Sequence, residues 1–441
     1  MPLIIMLYIL LGLALDASAQ EMRSVMNIRP QKSDRPAASK TYKFVNGQWF
    51  DGKRFRRRIF YSAGGRLTES APAQVDETLD LSNGFVIPPF GDAHTHNFDN
   101  AYIFKPVLKA YLEQGIFYAK VQTNFRTGAQ ELAPQLNSPE SLDVIYANGA
   151  LTSDFGHPIE IYEPIAMHLF SPEQRRANSA RILRSREAEG NAYHVIETPS
   201  DLETKWPSIL NGKPGFIKIM LLHSEAYAPL QTPPQELGHR GLDPRLVPLI
   251  VTKAHAAGLR VSAHVESAAD YHTALAAGVD EIAHLPGYYI AEKEDVRGYQ
   301  ISEEDAKLTA RRGVSVITTA RLAENYKAMP ALYARIRATQ IRNLKLLKSR
   351  GVRLLIGGDS YGDTALPEVI YLLNLGVFNS AELLRRWSED TPRAIFPTRR
   401  IGKLREGYEA SFIVLKGNPL ENFTRVREVS LRVKQGHLLT P

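Results

Sequence analysis

Residues 259–284 read LRVSAHVESAADYHTALAAGVDEIAH. LRVSAH is a short strand-like run closed by His264, and DEIAH is a second one closed by His284. Between them Ala268 to Ala277 reads as a helix. The 20 positions separating the two histidines thus hold one helix and one strand, a complete β/α step. Strands related in this way lie side by side, so the two imidazoles should stand on adjacent strands at the same rim. Either histidine alone reads as structural; the matched pair points to a site.

The same alternation extends in both directions. Towards the amino terminus lie FVIPPF, GIFYAKVQT, DVIYANGALT and GFIKIML; towards the carboxy terminus lie GVSVITT and VRLLIGGD. Asp243-Pro244 opens a helix that Gly258 closes, with Asp as cap and Pro at the first helical position. Leu332 to Arg350 is a long helix ended by Gly351. Eight strand-like segments separated mostly by helices over 86–395 predict an α/β fold, a closed (β/α)8 TIM-like barrel, with an open doubly wound sheet as the competitor. No glycine-rich phosphate loop follows the first strand, which counts against the dinucleotide-binding version. The ends of the chain differ. YKFVNGQWFDGK contains Asn46-Gly47 and Asp51-Gly52, both hairpin dipeptides, and EASFIVLKGNP and VSLRVKQGHLL near the carboxy terminus are also strand-like. Neither end is long enough to bury its own core, so 20–85 and 396–441 together predict one small β-sandwich domain.

Composition narrows the classes. The chain has 441 residues, 44% hydrophobic and 23% charged, as expected of a globular protein rather than a disordered or fibrous one. Cysteine is absent, which excludes disulfide scaffolds, thiolate zinc sites, Fe–S clusters, thiol nucleophiles and a lipid-anchored lipoprotein. The net charge of +7 comes from 54 basic and 47 acidic residues and is not gathered into one arm. It reads as a soluble basic surface, with no nucleic-acid partner.

Leu3 to Leu15 is apolar apart from Gly12 and is followed by Ala17-Ser18-Ala19. The pattern predicts a signal peptide over 1–19, although no Lys or Arg precedes the run. The run is short for a bilayer span. The expectation is a periplasmic or secreted protein, with no membrane association after signal removal.

The chemistry lies at the strand ends. His94 and His96 stand in GDAHTH, where positions i and i+2 of a strand face one side and two imidazoles can chelate one cation. Lys218, in FIKIM, has Ile217 and Ile219 as neighbours in a strand that should be buried. A buried ammonium is costly without a partner. It is read either as a salt-bridged or snorkelling lysine, or as a lysine carboxylated by CO2 whose carbamate bridges two metal ions. Asp359 ends LLIGGD, where Gly357 and Gly358 allow close backbone approach. It is read as a metal ligand, a proton acceptor or a turn cap.

Taken together, GDAHTH, KIM, AHVES, DEIAHLPG and IGGDS resemble the metal ligands of the amidohydrolase superfamily, the binuclear metal-dependent hydrolases, and most closely its imidazolonepropionase-like and Xaa-Pro dipeptidase-like group. IGKLREGYEASFIVLKGNPLENFTRVREVSLRVKQGHLL is similar to that family's ending, with Ala410-Ser411 where it usually has Asp. The resemblance implies two divalent metal ions, zinc first: His94, His96 and Asp359 on the more buried ion, His264 and His284 on the second, and carboxylated Lys218 between them. It implies a small-molecule substrate whose amide, lactam or dipeptide-like C–N bond is hydrolysed, with Asp359 as general base and acid. Lactone or phosphoester hydrolysis on the same site is the alternative, as is a non-catalytic binding protein that keeps the barrel. A mononuclear deaminase would use a Glu near the fifth-strand histidine; Glu266 is there, but Lys218 argues against it. His157, in SDFGHP, resembles a substrate-contacting histidine of relatives, and Tyr227, in LLHSEAY, is the second substrate-binding candidate. LLHSEAY and the aromatic loop LPGYY depart from the family pattern, so substrate does not transfer. His168, His194, His239, His255, His272 and His437 are read as structural or surface residues. Homo-oligomerisation is left open.

Overall fold

The computed structural model describes residues 40–227, 237–290 and 295–439; the expected signal segment, 1–19, lies outside the described residues. Aromatic and β-branched residues through Tyr42–Phe50 (β1) and Phe55–Ala63 (β2) form a hairpin in which Phe50 pairs with Phe55. Asp51-Gly52 makes its turn: Gly52 takes φ 95° and the Asp51 carboxylate accepts the amides of Lys53 and Arg54 at 3.0 and 2.9 Å. Asn46-Gly47 is not a second turn. Asn46 adopts φ 56° within β1 and the register shifts there, bending the strand. The first part of β1 therefore pairs with Glu77–Asp80 (β4) and the last with Phe85–Ile87 (β5), while Arg66–Thr68 (β3) extends the hairpin.

The barrel follows. Its strands are Phe90–Thr95 (β6), Ile116–Val121 (β7), the broken pair Asp143–Tyr146 (β8) and Ala150–Thr152 (β9), then, after the insert strand Tyr193–Val195 (β10), Ile217–Met220 (β11), Val261–His264 (β12), Glu281–Ile282 (β13), Ser315–Ile317 (β14) and Arg353–Leu355 (β15). Neighbours pair in parallel from β6 to β8 and from β9 through β11 to β15. The ring closes where the Ala93 amide donates to Ile356 O at 2.9 Å and the Asp359 amide to His94 O at 2.7 Å. β8 and β9 are one strand interrupted at Asn148-Gly149, at φ 54° and 111°, which lets β10 pair with its second half. Counting that strand once gives eight, as the sequence predicts.

Inside the barrel Lys120 pairs with Glu281 Oε1 at 2.5 Å, and Gln122 and Ser262 also donate to that oxygen, so the buried carboxylate is held by three donors. Apolar strand residues and the long helix Pro330–Ser349 complete the barrel core.

Phe412–Leu415 (β16), Val429–Lys434 (β17) and His437–Leu438 (β18) return to β5 and complete one eight-stranded sheet built from both chain ends. Phe44 meets Phe412 edge-on at 4.9 Å, and Trp49 lies 4.6 Å from Phe60, forming a separate small core. Lys434 fixes this domain to the barrel. Its fully buried ammonium donates to Ser138 O, Ser141 O and Asp143 Oδ1, and Arg399 holds the other oxygen of Asp143 at 2.7 Å. Lys434→Met should cost roughly 2–3 kcal/mol by leaving two carbonyls without a donor, read as a lower urea midpoint; an unchanged midpoint would refute this tie. Among the described residues no helix is long and apolar enough to cross a membrane.

Candidate metal centre

β6 carries His94 near its end, and His96 follows one residue beyond it. Their Nε2 atoms converge on Asp359 Oδ1, at 3.1 and 2.9 Å. The Nδ1 of His94 faces Ala283 O at 2.9 Å, and that of His96 faces Thr123 O at 3.3 Å. A carbonyl accepts only a hydrogen, so each Nδ1 carries the proton and each Nε2 presents a lone pair. Burial pushes His94 down to about 4 against the pull of Asp359, so its ring is neutral at neutral pH. Lone pairs and a carboxylate oxygen thus share one point, an arrangement that fits a cation. Asp359 reaches this position through φ 47°, beyond the end of β15. Gly357 permits the approach: a Cβ there would lie 2.7 Å from His94 Cβ.

His264 ends β12, and His284 follows β13 by two residues. Their rings lie 4.4 Å apart, and His284 is 4.7 Å from His94. His284 Nδ1 sits 2.9 Å from Thr319 Oγ1 and 3.6 Å from Asp359 Oδ2. Burial holds both rings well below the usual histidine range, His157 adding to the effect on His264. Neutral imidazoles are the form that binds metal.

Lys218, on β11, completes the ring. Its side chain is buried, and its Nζ has no hydrogen-bond partner among the described residues. Burial lowers its pKa to about 7, against the opposing fields of Asp359 and Glu281. The lysine charge in turn bears on His94, His264 and His284. Among the described residues His94, His96 and Asp359 bring ligand atoms within 4.8 Å of one another, with His284 and His264 beside them by ring distance and Lys218 near enough for its charge to bear on three of the histidines. Asp359 is held well below the ordinary carboxylate range: burial works the other way, but the imidazoles of His94, His96 and His284 around it prevail.

His157 stands at the edge, its ring 4.8 Å from that of His264 and its Nδ1 2.5 Å from Glu160 Oε1. Burial opposes its charge, but Glu160 outweighs it and raises the pKa. Tyr227 lies outside the cluster; the charges that bear on its hydroxyl are Glu197, Asp243 and Arg240. Of the other histidines, His255 pairs with Asp280 and His272 with Asp305, at 2.9 and 2.8 Å, as structural contacts.

Two neighbours, Tyr361 and Tyr288, carry no role in the sequence, and Glu266 enters there only as the acid of a mononuclear deaminase. Tyr361 stacks on His96 at 4.9 Å. Tyr288 stacks on His284 at 4.8 Å, and its hydroxyl lies 3.5 Å from His264 Nε2 and 3.2 Å from Glu266 Oε1. Glu266 Oε2 is also 3.7 Å from His223 Nε2. The available signal was proximity in sequence: Tyr361 lies two residues after Asp359, and Tyr288 four after His284.

Residues 238–439 match the sequence model of the Amidohydrolase family. That segment contains His264, His284 and Asp359. Ochratoxinase of Aspergillus niger is 27% identical over 197 residues, which cover 42% of this chain and 38% of that protein. The chain thus spans about two fifths of the length of the curated relatives it matches. In three dimensions the likeness is wider. The crystal structure of A. niger ochratoxinase superposes with a TM-score of 0.69 at 17% identity, over 91% of this chain and 96% of that one. A prolidase complexed with N-methylphosphonate-L-proline gives 0.66 at 19% identity, over 91% and 100%. A Xaa-Pro dipeptidase with bound methionine gives 0.67 at 14%, again over 91% and 100%. The fold is therefore the one these structures share, a barrel with a small β domain.

Proposed function

We propose that this protein is an exported metal-dependent amidohydrolase that cleaves a C–N bond of a small molecule: an amide, a lactam or a dipeptide-like bond. The observation that carries this reading is the buried, unpartnered amine of Lys218 among four histidines and Asp359. An amine depressed to about 7 is substantially neutral at physiological pH, and only the neutral amine can add to CO2. The carbamate so formed would join His94, His96, Asp359, His264 and His284 as a donor set that could hold two divalent ions. Imidazole and carboxylate donors suit zinc. When bound, such ions lower the pKa of water and polarise a carbonyl. The chain's own residues do the rest. Asp359 takes a proton from the attacking water and returns it to the leaving nitrogen. The Nδ1 contacts to Ala283 and Thr123 keep the Nε2 atoms of His94 and His96 turned inward. His157, 4.8 Å from His264 at the edge of the cluster, is the substrate-binding residue. The names prolidase and Xaa-Pro dipeptidase among the similar structures support cleavage of a dipeptide-like bond.

The test is metal analysis of the purified protein, followed by a screen of N-acyl amino acids, Xaa-Pro dipeptides, cyclic amides and lactones. Two divalent ions per chain and turnover of an amide are expected. Turnover confined to lactones would move the reaction class, and a metal-free protein inert to all four would sink the reading. Export rests on the Leu3–Leu15 run. The secreted protein should begin at Gln20 within a residue or two; a cytoplasmic protein that keeps Met1 would refute it.

A further inference from the structure

We propose that Tyr288 is a further catalytic residue, the hydrogen-bond donor to the substrate carbonyl oxygen as the carbon becomes tetrahedral. This rests on the hydrolase reading above. The phenol is built into its place. Its ring lies on His284 at 4.8 Å with 29° between the planes, and edge-on to His264 at 6.4 Å. Its loop is fixed from behind: Asn343 of the long helix donates to Pro286 O at 3.1 Å. Gly287 turns the chain at φ 90°, where an added Cβ would meet Thr339 Cγ2 at 2.8 Å. No side chain fits there, so the loop delivers Tyr288 in one orientation.

The hydroxyl lies 3.5 Å from His264 Nε2 and 3.2 Å from Glu266 Oε1. In the free protein Glu266 accepts the O–H, keeping it poised. When water adds to the carbonyl carbon, one water proton passes to Asp359 and the carbonyl π pair moves onto the oxygen. The Tyr288 O–H turns to that oxygen and donates without transferring its proton. The pair returns as the C–N bond breaks, and the nitrogen leaves with the proton from Asp359. A fixed donor aimed where charge develops contributes mainly to turnover, since the ground-state carbonyl binds it less strongly.

Tyr288→Phe keeps the ring on His284 and removes only the oxygen. Zinc per chain is measured, with methylphosphonate affinity by calorimetry as a tetrahedral oxyanion probe, and kcat and KM on hippuryl-L-phenylalanine or the best amide of the screen. Zinc content should be unchanged, methylphosphonate affinity should fall about tenfold or more, and kcat by about 10²-fold with KM little altered. Equal methylphosphonate affinity in the two proteins, including none in either, overturns the assignment, as does loss of zinc with the hydroxyl. Weakened methylphosphonate binding alongside a wild type that hydrolyses no amide leaves the donor assignment standing and removes the amidase reading instead.

Discussion

Lys218→Met should make the metal-free protein more stable and the enzyme nearly inactive. Methionine matches the lysine stem in volume and carries no charge, so the core around β11 keeps its packing. What disappears is a buried amine with no hydrogen-bond partner, lowered from 10.5 to about 7 chiefly by burial. Because the folded pKa lies below the unfolded one, the unfolded chain holds the extra proton between pH 7 and 10.5. Stability therefore rises with pH across that window, and below it the whole penalty, roughly 4–5 kcal/mol, is in force. The variant should unfold several degrees higher at pH 7 without metal, and its stability should vary less between pH 7 and 10. It should also lose the shared ligand. If that ligand supports several kcal/mol of transition-state stabilisation through the ions, turnover falls by about 10³-fold or more. Carbon-13 spectra in labelled bicarbonate should show a carbamate signal in the wild type that the variant lacks. A metal-free Lys218→Met protein that melts lower than wild type, or one that keeps metal and turnover, would remove Lys218 from the centre.

The same residue shows why much of this site was legible in the sequence. A lysine flanked by isoleucines in a strand, and histidines ending two successive strands, are polar groups placed where packing alone would choose apolar ones. Strand periodicity then fixes their direction, and a barrel brings strand ends to one rim. The hairpin dipeptide Asn46-Gly47 was read the wrong way for the opposite reason. Its left-handed preference is real, at φ 56° for Asn46, but a bulge uses that conformation as readily as a turn does, and only pairing with both β4 and β5 decides between them. Tyr288 carries no role in the sequence, and Glu266 only that of a deaminase acid, because their contact with each other and with His264 depends on the path of a loop. That path is set by Gly287 and by Asn343, which lies 55 positions beyond Tyr288 in the sequence. Tyr227 follows three irregular residues and a short 3-10 turn, Leu221 to Ala226, which release the chain from strand periodicity, and its side chain ends beside Arg240 rather than the histidines.

Asp359→Asn should separate holding a metal from moving a proton. Asp359 sits at φ 47°, a conformation that most side chains resist and that asparagine tolerates nearly as well as aspartate, so the loop after β15 should keep its course. The amide also retains one oxygen towards the Nε2 atoms of His94 and His96, which stand 3.1 and 2.9 Å from Oδ1. It cannot take a proton at neutral pH. Metal per chain should therefore stay close to wild type, because His264, His284 and Lys218 are untouched and His94 and His96 still converge. Turnover should fall by about 10²-fold or more, the usual scale for removing a general acid or base. KM should move less, since the carboxylate acts after substrate is seated. His264→Ala provides the contrast: it removes a ligand and leaves Asp359 in place, so metal and activity should fall together. Metal content and kcat measured for both variants decide the matter. An Asp359→Asn enzyme with full metal and near-normal turnover would end the general-base assignment, and the proton would have to leave through Glu266 or His157, the nearest remaining groups on the His264 side of the site.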